Sequence, residues 1–323
     1  MVTFYIISII LLSLVLIKAA DIVIISLRRI ARESHTRVFV LSLVIAALGT
    51  SLPELFVGIT SSLEGSSNLS LGVVIGSNIS NIALIGALAA FVFGKVIIHE
   101  DFIKKEVWIA FASGLVPLFL IFDKEISRID GLILIMLYLA YTTGFFRQRF
   151  EQIGREHHKD TFFHRFLREV KVIESIKAKE YGKMFVGIAL LIASSDIIVK
   201  ISQRFALEIH IPIFIIGLII LAVGTSLPEL AFSFQTLKDH EPSMFLGNLL
   251  GSTIVNSTLI LGISSIINPI KGIPVIDYSF AAIAFVLIFL LFWLFIRSKH
   301  RLERWEAGLL LTLYFLFLIV EFV

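Results

Sequence analysis

A six-residue motif that combines a carboxylate, two hydroxyls and a proline occurs twice in this chain. Residues 49–54 and 224–229 both read Gly-Thr-Ser-Leu-Pro-Glu, and each copy lies within a long apolar stretch. A glutamate in an apolar membrane helix is costly, and such residues usually face a cavity or an ion path. A proline there frees backbone carbonyls from helical hydrogen bonding. The two motifs therefore predict a cation site between two broken helices, with Glu54 and Glu229 at its centre.

Further polar residues surround the two glutamates at helical spacing. On a helix, side chains three or four residues apart share a face. Within each motif, the Thr and Ser therefore lie on the face of the Glu, and a Ser–Asn pair spaced by four follows in the next apolar stretch. The predicted ligands besides the glutamates are Thr50, Ser51, Ser77, Asn81, Thr225, Ser226, Ser252 and Asn256.

These ligands are all hard oxygen donors, without sulfur or imidazole. Such donors suit calcium, sodium or magnesium rather than zinc or copper. Calcium accepts six to eight oxygens in flexible geometry, whereas magnesium needs a tighter octahedron, so calcium is the first choice and magnesium the second. Two glutamates balance one divalent cation or two monovalent ones. Because sodium and calcium are similar in size, one oxygen cage can hold either in turn, which is the basis of exchange.

Other polar and small residues of the apolar stretches have simpler interpretations. A single hydroxyl in a membrane helix often bonds only to its own helix or a neighbour, and a Gly-x-x-x-Gly pattern favours close helix packing. The second pattern occurs at Gly72 and Gly76 and again at Gly247 and Gly251. Neither Ser51 nor Ser226 has a His or Lys base nearby in sequence, so an intramembrane hydrolase is a poor interpretation and we expect no enzyme.

Two aspartates near helix ends, Asp21 and Asp196, have a basic residue within one helical turn. Lys18 precedes Asp21 by three residues, and Lys200 follows Asp196 by four. Such spacing favours local ion pairs. We therefore expect helix-to-helix polar contacts there rather than ion coordination.

The composition is that of a polytopic helical membrane protein. Hydrophobic residues make up 57% of the chain, and the mean hydropathy is +0.95. Many apolar runs reach the roughly 17–25 residues that a spanning helix needs, and no stretch between them is long enough for a soluble catalytic domain. The first run has no basic leader, so we expect a retained span rather than a signal peptide. The absence of cysteine excludes disulfides and thiolate sites.

The chain consists of two homologous halves. An offset of 175 residues pairs Gly49 with Gly224 and Asn81 with Asn256 without a gap. Residues 47–55 and 222–230 differ at a single position. The predicted units are a first repeat at 1–146, a basic connector at 147–180 and a second repeat at 181–323.

The predicted fold class is an all-α integral membrane protein with ten transmembrane helices, of which the second and seventh are discontinuous. Five spans in each half would invert the second half relative to the first, as in many secondary transporters. The predicted spans are 3–27, 38–62, 69–93, 106–122, 130–146, 183–203, 212–236, 244–267, 277–296 and 305–322.

Lys and Arg are concentrated in the loops after the odd-numbered spans. The positive-inside rule therefore predicts a cell-membrane protein with both termini outside and the central connector in the cytoplasm. The connector is amphipathic in places and carries His157, His158 and His164. We interpret it as a solvated linker near anionic lipid, with a regulatory lipid-contacting helix as the alternative.

The two motifs, together with Gly-x-x-x-Gly-Ser-Asn-x-x-Asn at 72–81 and Gly-Asn-x-x-Gly-Ser-Thr-x-x-Asn at 247–256, resemble the two alpha repeats of sodium/calcium exchangers. These belong to the cation/calcium exchanger superfamily, and the likeness covers essentially the whole chain. The repeats correspond to residues 46–83 and 221–258. The closest likeness is to compact microbial members that have ten spans.

The resemblance implies a role for each matching residue. Glu54 and Glu229 would be the central calcium ligands, shared with sodium, with Thr50 and Thr225 contributing carbonyls and hydroxyls. The serines would line flanking sodium sites, the carbonyls of Ala47 and Ala222 would contact sodium at the outer ends, and the two asparagines would complete the middle. The first and sixth spans would slide across a fixed core to alternate access.

Departures from the family pattern bear on the counter-ion. Potassium-dependent relatives carry Asp where this chain has Asn256, which argues against potassium coupling. The family often has Asn at the position of Val73. Proton-coupled calcium exchangers typically place a Glu near the positions of Asn81 and Asn256, and no such Glu is present. The resemblance therefore favours sodium, with proton/calcium exchange as the alternative.

A cation channel is the third hypothesis, although a fixed pore rarely needs two mirrored half-sites. The expected partners are Ca²⁺, Na⁺ and the lipid bilayer, with no nucleic acid, no prosthetic group and no obligatory protein partner.

Overall fold

The structure, a computed structural model, describes residues 2–33, 49–94, 96–97, 101–154, 178–299 and 301–322. Ala47, the first part of the predicted span 38–62 and the connector residues 155–177 lie outside the described residues.

The described residues fold almost entirely into helices, as the long apolar runs predict. The helices are α1 (Val2–Glu33), α2 (Leu52–Leu63), α3 (Ser67–Phe93), α4 (Asp101–Leu120), α5 (Arg128–Gly154), α6 (Ala178–Ile209), α7 (Ile213–Lys238), α8 (Pro242–Ile267), α9 (Val275–Lys299) and α10 (Arg304–Phe322). Three of them contain π-helical segments: Asn81–Gly86 in α3, Ile216–Leu221 in α7 and Val255–Ile260 in α8.

Seven helices of the described residues are long and apolar enough to cross a membrane. They lie in α1, α3, α4, α6, α7, α8 and α9. The described part of α2 is a shorter apolar helix. The apolar stretches of α5 and α10 lie between charged residues, Asp130 and Arg147 in α5 and Glu306 and Glu321 in α10.

The distribution of side chains is that of a protein surrounded by lipid. Large apolar side chains such as Phe4, Met136 and Ile276 are exposed, whereas serines, threonines, asparagines and two glutamates are buried at the centre. In α3, 89% of the residues in the apolar 18-residue stretch are buried, and in α8 the share is 72%. The corresponding share is 33% in α1, α6 and α9. The helices α3 and α8 therefore form the middle of the molecule, where the polar residues lie.

Two short backbone pairings join the halves. The strands β1 (Val96–Ile97) and β2 (Arg301–Leu302) pair antiparallel, with Val96 opposite Leu302 and Ile97 opposite Arg301. An isolated antiparallel bridge links Ile126 to Ile270. Each pairing joins a segment after the third helix of one half to a segment before the last helix of the other. The two pairings are therefore related by the sequence repeat.

The helices α1 and α6 pack along each other and are tied at both ends. Arg29 Nη1 donates to Glu180 Oε1 at 3.1 Å at one end, and the Tyr5 and Phe205 rings stack with centroids 5.5 Å apart at the other. For Asp21 and Asp196 the structure gives ion pairs within their own helices, where contacts between helices are expected from the sequence; the Nζ–O distances are 3.8 Å for Lys18–Asp21 and 2.8 Å for Lys200–Asp196. The pair α1–α6 therefore behaves as one packing unit.

Candidate ion-binding site

The helix containing each motif is interrupted at the serine rather than at the proline. Ser51 and Ser226 have the same non-helical conformation, with φ −86° and ψ 7°. Pro53 and Pro228 then occupy the first turn of the following helix, where the missing N–H is not needed. The sequence predicts the interruption correctly, and the structure places it two residues earlier than the proline.

The interruption puts both glutamates in the first turn of a new helix. Glu54 lies in the first turn of α2, and Glu229 lies in the first turn of the second part of α7, which begins at Leu227. The free N–H groups and the dipole of a helix N-terminus favour negative charge. Both carboxylates are therefore held in a partly positive backbone environment, although they lie far from solvent.

Glycines allow the central helices to approach at backbone distance. A Cβ added at Gly72 would lie 2.1 Å from the Phe214 carbonyl oxygen, and one at Gly76 would lie 2.0 Å from the Leu218 carbonyl oxygen. The packing role predicted for these glycines in α3 is confirmed. At Gly247, by contrast, an added Cβ meets nothing within 4 Å. Close packing of α3 against α7 brings polar residues of both halves together.

Glu54 accepts hydrogen bonds from both halves. Ser77 Oγ donates to Glu54 Oε1 at 3.5 Å, and Ser226 Oγ donates to the same oxygen at 3.3 Å. The hydroxyl of Thr225 also approaches this carboxylate. The first glutamate is therefore surrounded by hydroxyls of α3 and α7.

Glu229 has a closely related environment. Ser252 Oγ donates to Glu229 Oε1 at 3.3 Å, which repeats the Ser77–Glu54 contact in the other half. Thr50 Oγ1 lies 3.4 Å from Ser252 Oγ and donates to Asn248 Oδ1 at 3.2 Å. Thr50 of the first motif therefore contacts the hydroxyl that binds Glu229 in the second half. The structure thus brings both predicted glutamates, and hydroxyls of both halves, into one cluster.

The cluster is almost completely shielded. Glu54 is 1% exposed and Glu229 is 0% exposed. In the described part of the chain, no lysine or arginine forms an ion pair with either carboxylate. An ionised carboxylate buried without a countercharge is strongly disfavoured. The pair needs a cation or a proton to balance its charge.

Several buried oxygens of this cluster have no hydrogen-bond partner among the described residues. The unpaired oxygens are Ser51 Oγ, Glu54 Oε2, Glu229 Oε2, Asn81 Oδ1 and Asn256 Oδ1. Buried polar atoms are nearly always paired, so an unpaired one commonly marks the place of a bound ion or water. These atoms belong to predicted ligands, and they are the donor type that calcium and sodium take. The donor set therefore fits a hard cation.

The threonine and alanine of the second motif have other contacts. Thr225 Oγ1 donates to the Leu221 carbonyl at 3.0 Å. The Ala222 carbonyl accepts the Ser226 N–H at 3.1 Å and the Thr225 hydroxyl at 3.4 Å. Both residues lie in the turn before the interruption at Ser226. Their roles as ion ligands, like that of Ala47, remain predictions.

The sodium/calcium exchanger protein family matches this chain at residues 4–147 and 180–323, which together cover most of its length. The chain belongs to the sodium/calcium exchanger family. This family comprises transporters rather than catalytic enzymes.

Curated relatives of this exchanger cover nearly its whole length. Sodium/calcium exchanger MaX1 of Methanosarcina acetivorans is 28% identical over 97% of both chains. Inner membrane protein YrbG of Escherichia coli is 28% identical over 87% of this chain and 86% of the relative. Putative antiporter CaxA of Alkalimonas amylolytica is 29% identical over 92% of both.

A solved structure has the same fold. The sodium-calcium exchanger NCX_Mj, soaked with Na⁺ and Sr²⁺, superimposes with a TM-score of 0.64 and 26% identity over 99% of both chains. The resemblance to a compact microbial exchanger is confirmed.

Three polar residues beside the predicted ligands were absent from the predicted set: Asn248, Asn78 and Ser257. Asn248 accepts the Thr50 hydroxyl. Asn78 accepts from Asn256 Nδ2 at 3.3 Å and donates to Ser257 Oγ at 2.7 Å. None of the three is matched by an identical residue in the other half, because their counterparts are Val73, Thr253 and Ile82. A search based on the repeat therefore passes over them.

Proposed function

We propose that this protein is a secondary antiporter that exchanges Na⁺ for Ca²⁺ by alternating access at a shared site centred on Glu54 and Glu229. The supporting observation is the group of buried, unpaired oxygens between the two halves, which includes one oxygen of each glutamate. The relatives named as sodium/calcium exchangers support the same ion pair.

The ligands of the shared site are the predicted set. Glu54 and Glu229 hold calcium between them, and the unpaired Ser51 hydroxyl and the amide oxygens of Asn81 and Asn256 complete the coordination. The remaining ligands contribute hydroxyls or carbonyls: Ala47, Thr50, Ser77, Ala222, Thr225, Ser226 and Ser252. Sodium occupies the same oxygens when calcium leaves, so the two ions exclude each other.

The architecture that supports this mechanism is a pair of inverted five-helix repeats, 1–146 and 181–323, joined by the connector 147–180. Two observations support it. Ser51 and Ser226 share one backbone conformation, and the β1–β2 ribbon and the Ile126–Ile270 bridge are related by the repeat. In such transporters the site lies between repeats, and one unit moves against the other. Here the moving unit is the α1–α6 pair.

The protein resides in the cell membrane, with both termini outside and the connector in the cytoplasm. The excess of Lys and Arg in the loops after odd-numbered helices supports this orientation. An inward sodium gradient would then drive calcium out of the cell.

Proton/calcium exchange is the second candidate, because the buried glutamates can be balanced by protons as well as by cations. Asn81 and Asn256 favour sodium, since neither residue can carry a proton at the positions where proton-coupled exchangers typically place a Glu. Sodium needs oxygen ligands beyond the glutamates, and the unpaired amide oxygens are suited to that need.

Calcium uptake into sealed proteoliposomes distinguishes these candidates. Vesicles loaded with sodium and diluted into sodium-free calcium buffer should accumulate calcium, and collapse of the sodium gradient should stop uptake. Vesicles with only a pH gradient should show no uptake above protein-free controls. Uptake driven by the pH gradient alone would identify the proton, and not sodium, as the counter-ion. Uptake that needs neither gradient, at rates that do not saturate with calcium, would indicate a channel.

A further inference from the structure

A short chain of hydrogen bonds begins at Asn256, one helical turn after Ser252, which donates to Glu229 Oε1. Asn256 Nδ2 donates to Asn78 Oδ1 at 3.3 Å, and Asn78 Nδ2 donates to Ser257 Oγ at 2.7 Å. All three side chains are buried, with at most 3% exposure. The amide oxygen of Asn256 is left without a partner among the described residues.

The crevice beside Asn78 offers this side chain few other hydrogen-bond partners. Asn78 and Ser257 line a narrow crevice with apolar residues of α3, α4 and α9, among them Val74, Pro117 and Phe285. Among the residues that line this crevice, Asn78 and Ser257 have the only polar side chains. In this arrangement both ends of the Asn78 amide are used, since its NH₂ donates to Ser257 Oγ and its oxygen accepts from Asn256 Nδ2.

We infer that Asn78 and Ser257 are positioning residues that fix the rotation of the Asn256 amide so that its oxygen faces the bound cation. This inference rests on the proposed function. A half-turn of the amide would place the NH₂ group, with its partial positive charge, against the cation. The Asn78 oxygen prevents that rotation by accepting the Asn256 NH₂. Groups behind a metal ligand commonly set its orientation in this way.

The corresponding positions of the other repeat do not form this hydrogen-bonded chain. The counterparts of Asn78, Ser257 and Asn256 are Thr253, Ile82 and Asn81. Thr253 Oγ1 donates to the Leu249 carbonyl of its own helix, and isoleucine has no polar group. Neither polar atom of the Asn81 side chain has a hydrogen-bond partner among the described residues. The site is therefore chemically asymmetric, with a fixed amide from α8 and a rotatable amide from α3.

The first test replaces Ser257 and compares it with a control from the other half. Ser257→Ala should raise the calcium concentration for half-maximal exchange about tenfold, as removal of such supporting groups typically does, with the maximal rate within about twofold. Ser257→Thr keeps the hydroxyl and should restore the wild-type value. Thr253→Ala, which removes only a bond within its own helix, should not change it. Loss of calcium affinity in Thr253→Ala as large as in Ser257→Ala would contradict the inference.

The second test replaces the amide of Asn256 with a carboxylate, whose two oxygens are equivalent. A carboxylate offers oxygen in either rotation, so in an Asn256→Asp background the further change Ser257→Ala should alter the half-maximal calcium concentration by less than about twofold. The same tenfold loss in both backgrounds would overturn the positioning role. The proposed function fails separately, if wild-type vesicles show no sodium-dependent calcium uptake. Binding of ⁴⁵Ca²⁺ to each purified variant provides a measure of affinity independent of transport.

Discussion

Ser226 Oγ donates a 3.3 Å hydrogen bond to Glu54 Oε1 across 172 residues of sequence. Ser226 is also the residue at which α7 is interrupted, three positions before Glu229. One residue therefore breaks a helix in the second half and contacts the acid of the first. This relationship explains why the two glutamates share one environment. It also predicts that a substitution in the motif of either half changes ion binding at the whole site.

Neutralising the glutamates should abolish exchange. Glu54→Gln or Glu229→Gln removes half of the negative charge that balances calcium, so we expect the exchange rate to fall at least ~100-fold, with loss of calcium affinity as the cause. The measurement is sodium-gradient-driven ⁴⁵Ca²⁺ uptake in proteoliposomes at several calcium concentrations. Glu64→Gln is the matched control, because Glu64 follows the same helix but is partly exposed and lies 3.8 Å from Lys200. Wild-type rates in Glu54→Gln would contradict the assignment.

Removing the Ser51 hydroxyl should weaken sodium binding without destabilising the fold. Ser51 Oγ is buried and has no hydrogen-bond partner among the described residues, so Ser51→Ala breaks no internal bond there. We expect the sodium concentration for half-maximal exchange to rise about three- to tenfold. This is the change in affinity that the loss of one weak oxygen–ion contact produces. Thermal unfolding in detergent should stay within about 2 °C of the wild type. An unchanged sodium dependence would remove Ser51 from the ligand set.

A methyl group at Gly76 should destabilise the centre of the protein. The added Cβ would lie 2.0 Å from the Leu218 carbonyl oxygen and 2.6 Å from Ala222 Cβ, so α3 and α7 would have to separate. We expect Gly76→Ala to cost about 3 kcal/mol or more, since overpacking against backbone cannot relax by rotamer change. Gly308→Ala in α10 is the control, because its Cβ would meet only Phe91 at 3.8 Å. Equal thermal stability of the two variants would show that the close approach of α3 and α7 is not needed.

A cross-link between α2 and α6 should arrest transport if α6 moves during the cycle. Thr60 Oγ1 and Ser195 Oγ lie 2.9 Å apart on these helices, and the chain has no native cysteine. Thr60→Cys with Ser195→Cys should therefore oxidise to a disulfide that blocks calcium uptake, and reduction should restore uptake. Disulfide geometry requires such proximity of the two side chains.

The control cross-link joins two helices of the proposed fixed core. Ser70 Oγ and Ser264 Oγ lie 2.8 Å apart between α3 and α8, so Ser70→Cys with Ser264→Cys should oxidise equally well and leave uptake intact. Arrest by both cross-links, or by neither, would argue against movement of α6 relative to a fixed core. Gel mobility after cleavage between residues 70 and 195 measures the extent of cross-linking.

The parts of the fold that could be predicted from sequence are those encoded by composition and by exact repetition. Long apolar runs locate α3, α7 and α8 to within a few residues, because burial in lipid requires that length. The duplicated motif identifies Glu54 and Glu229 as a pair, because an acid in an apolar helix is costly and usually faces an ion path or a cavity.

The remaining features depend on packing that one sequence does not display. The π-helical segment Asn81–Gly86 has no distinctive composition, and it is defined only by hydrogen bonds between its own backbone groups. Asn78 and Asn248 belong to the motifs at 72–81 and 247–256, but their partners Asn256 and Thr50 are identified only by three-dimensional contacts. The strand pairing of Val96 with Leu302 joins residues far apart in sequence through segments too short to predict.

The most direct test of the central claim is an anomalous diffraction map of crystals in which strontium replaces calcium. A shared site predicts one strong peak with oxygens of both Glu54 and Glu229 at roughly 2.3–2.6 Å, the range for this class of cation, and loss of that peak when the sodium concentration is raised. A strontium ion that contacts only one of the two carboxylates, or that binds at a place away from both, would contradict it.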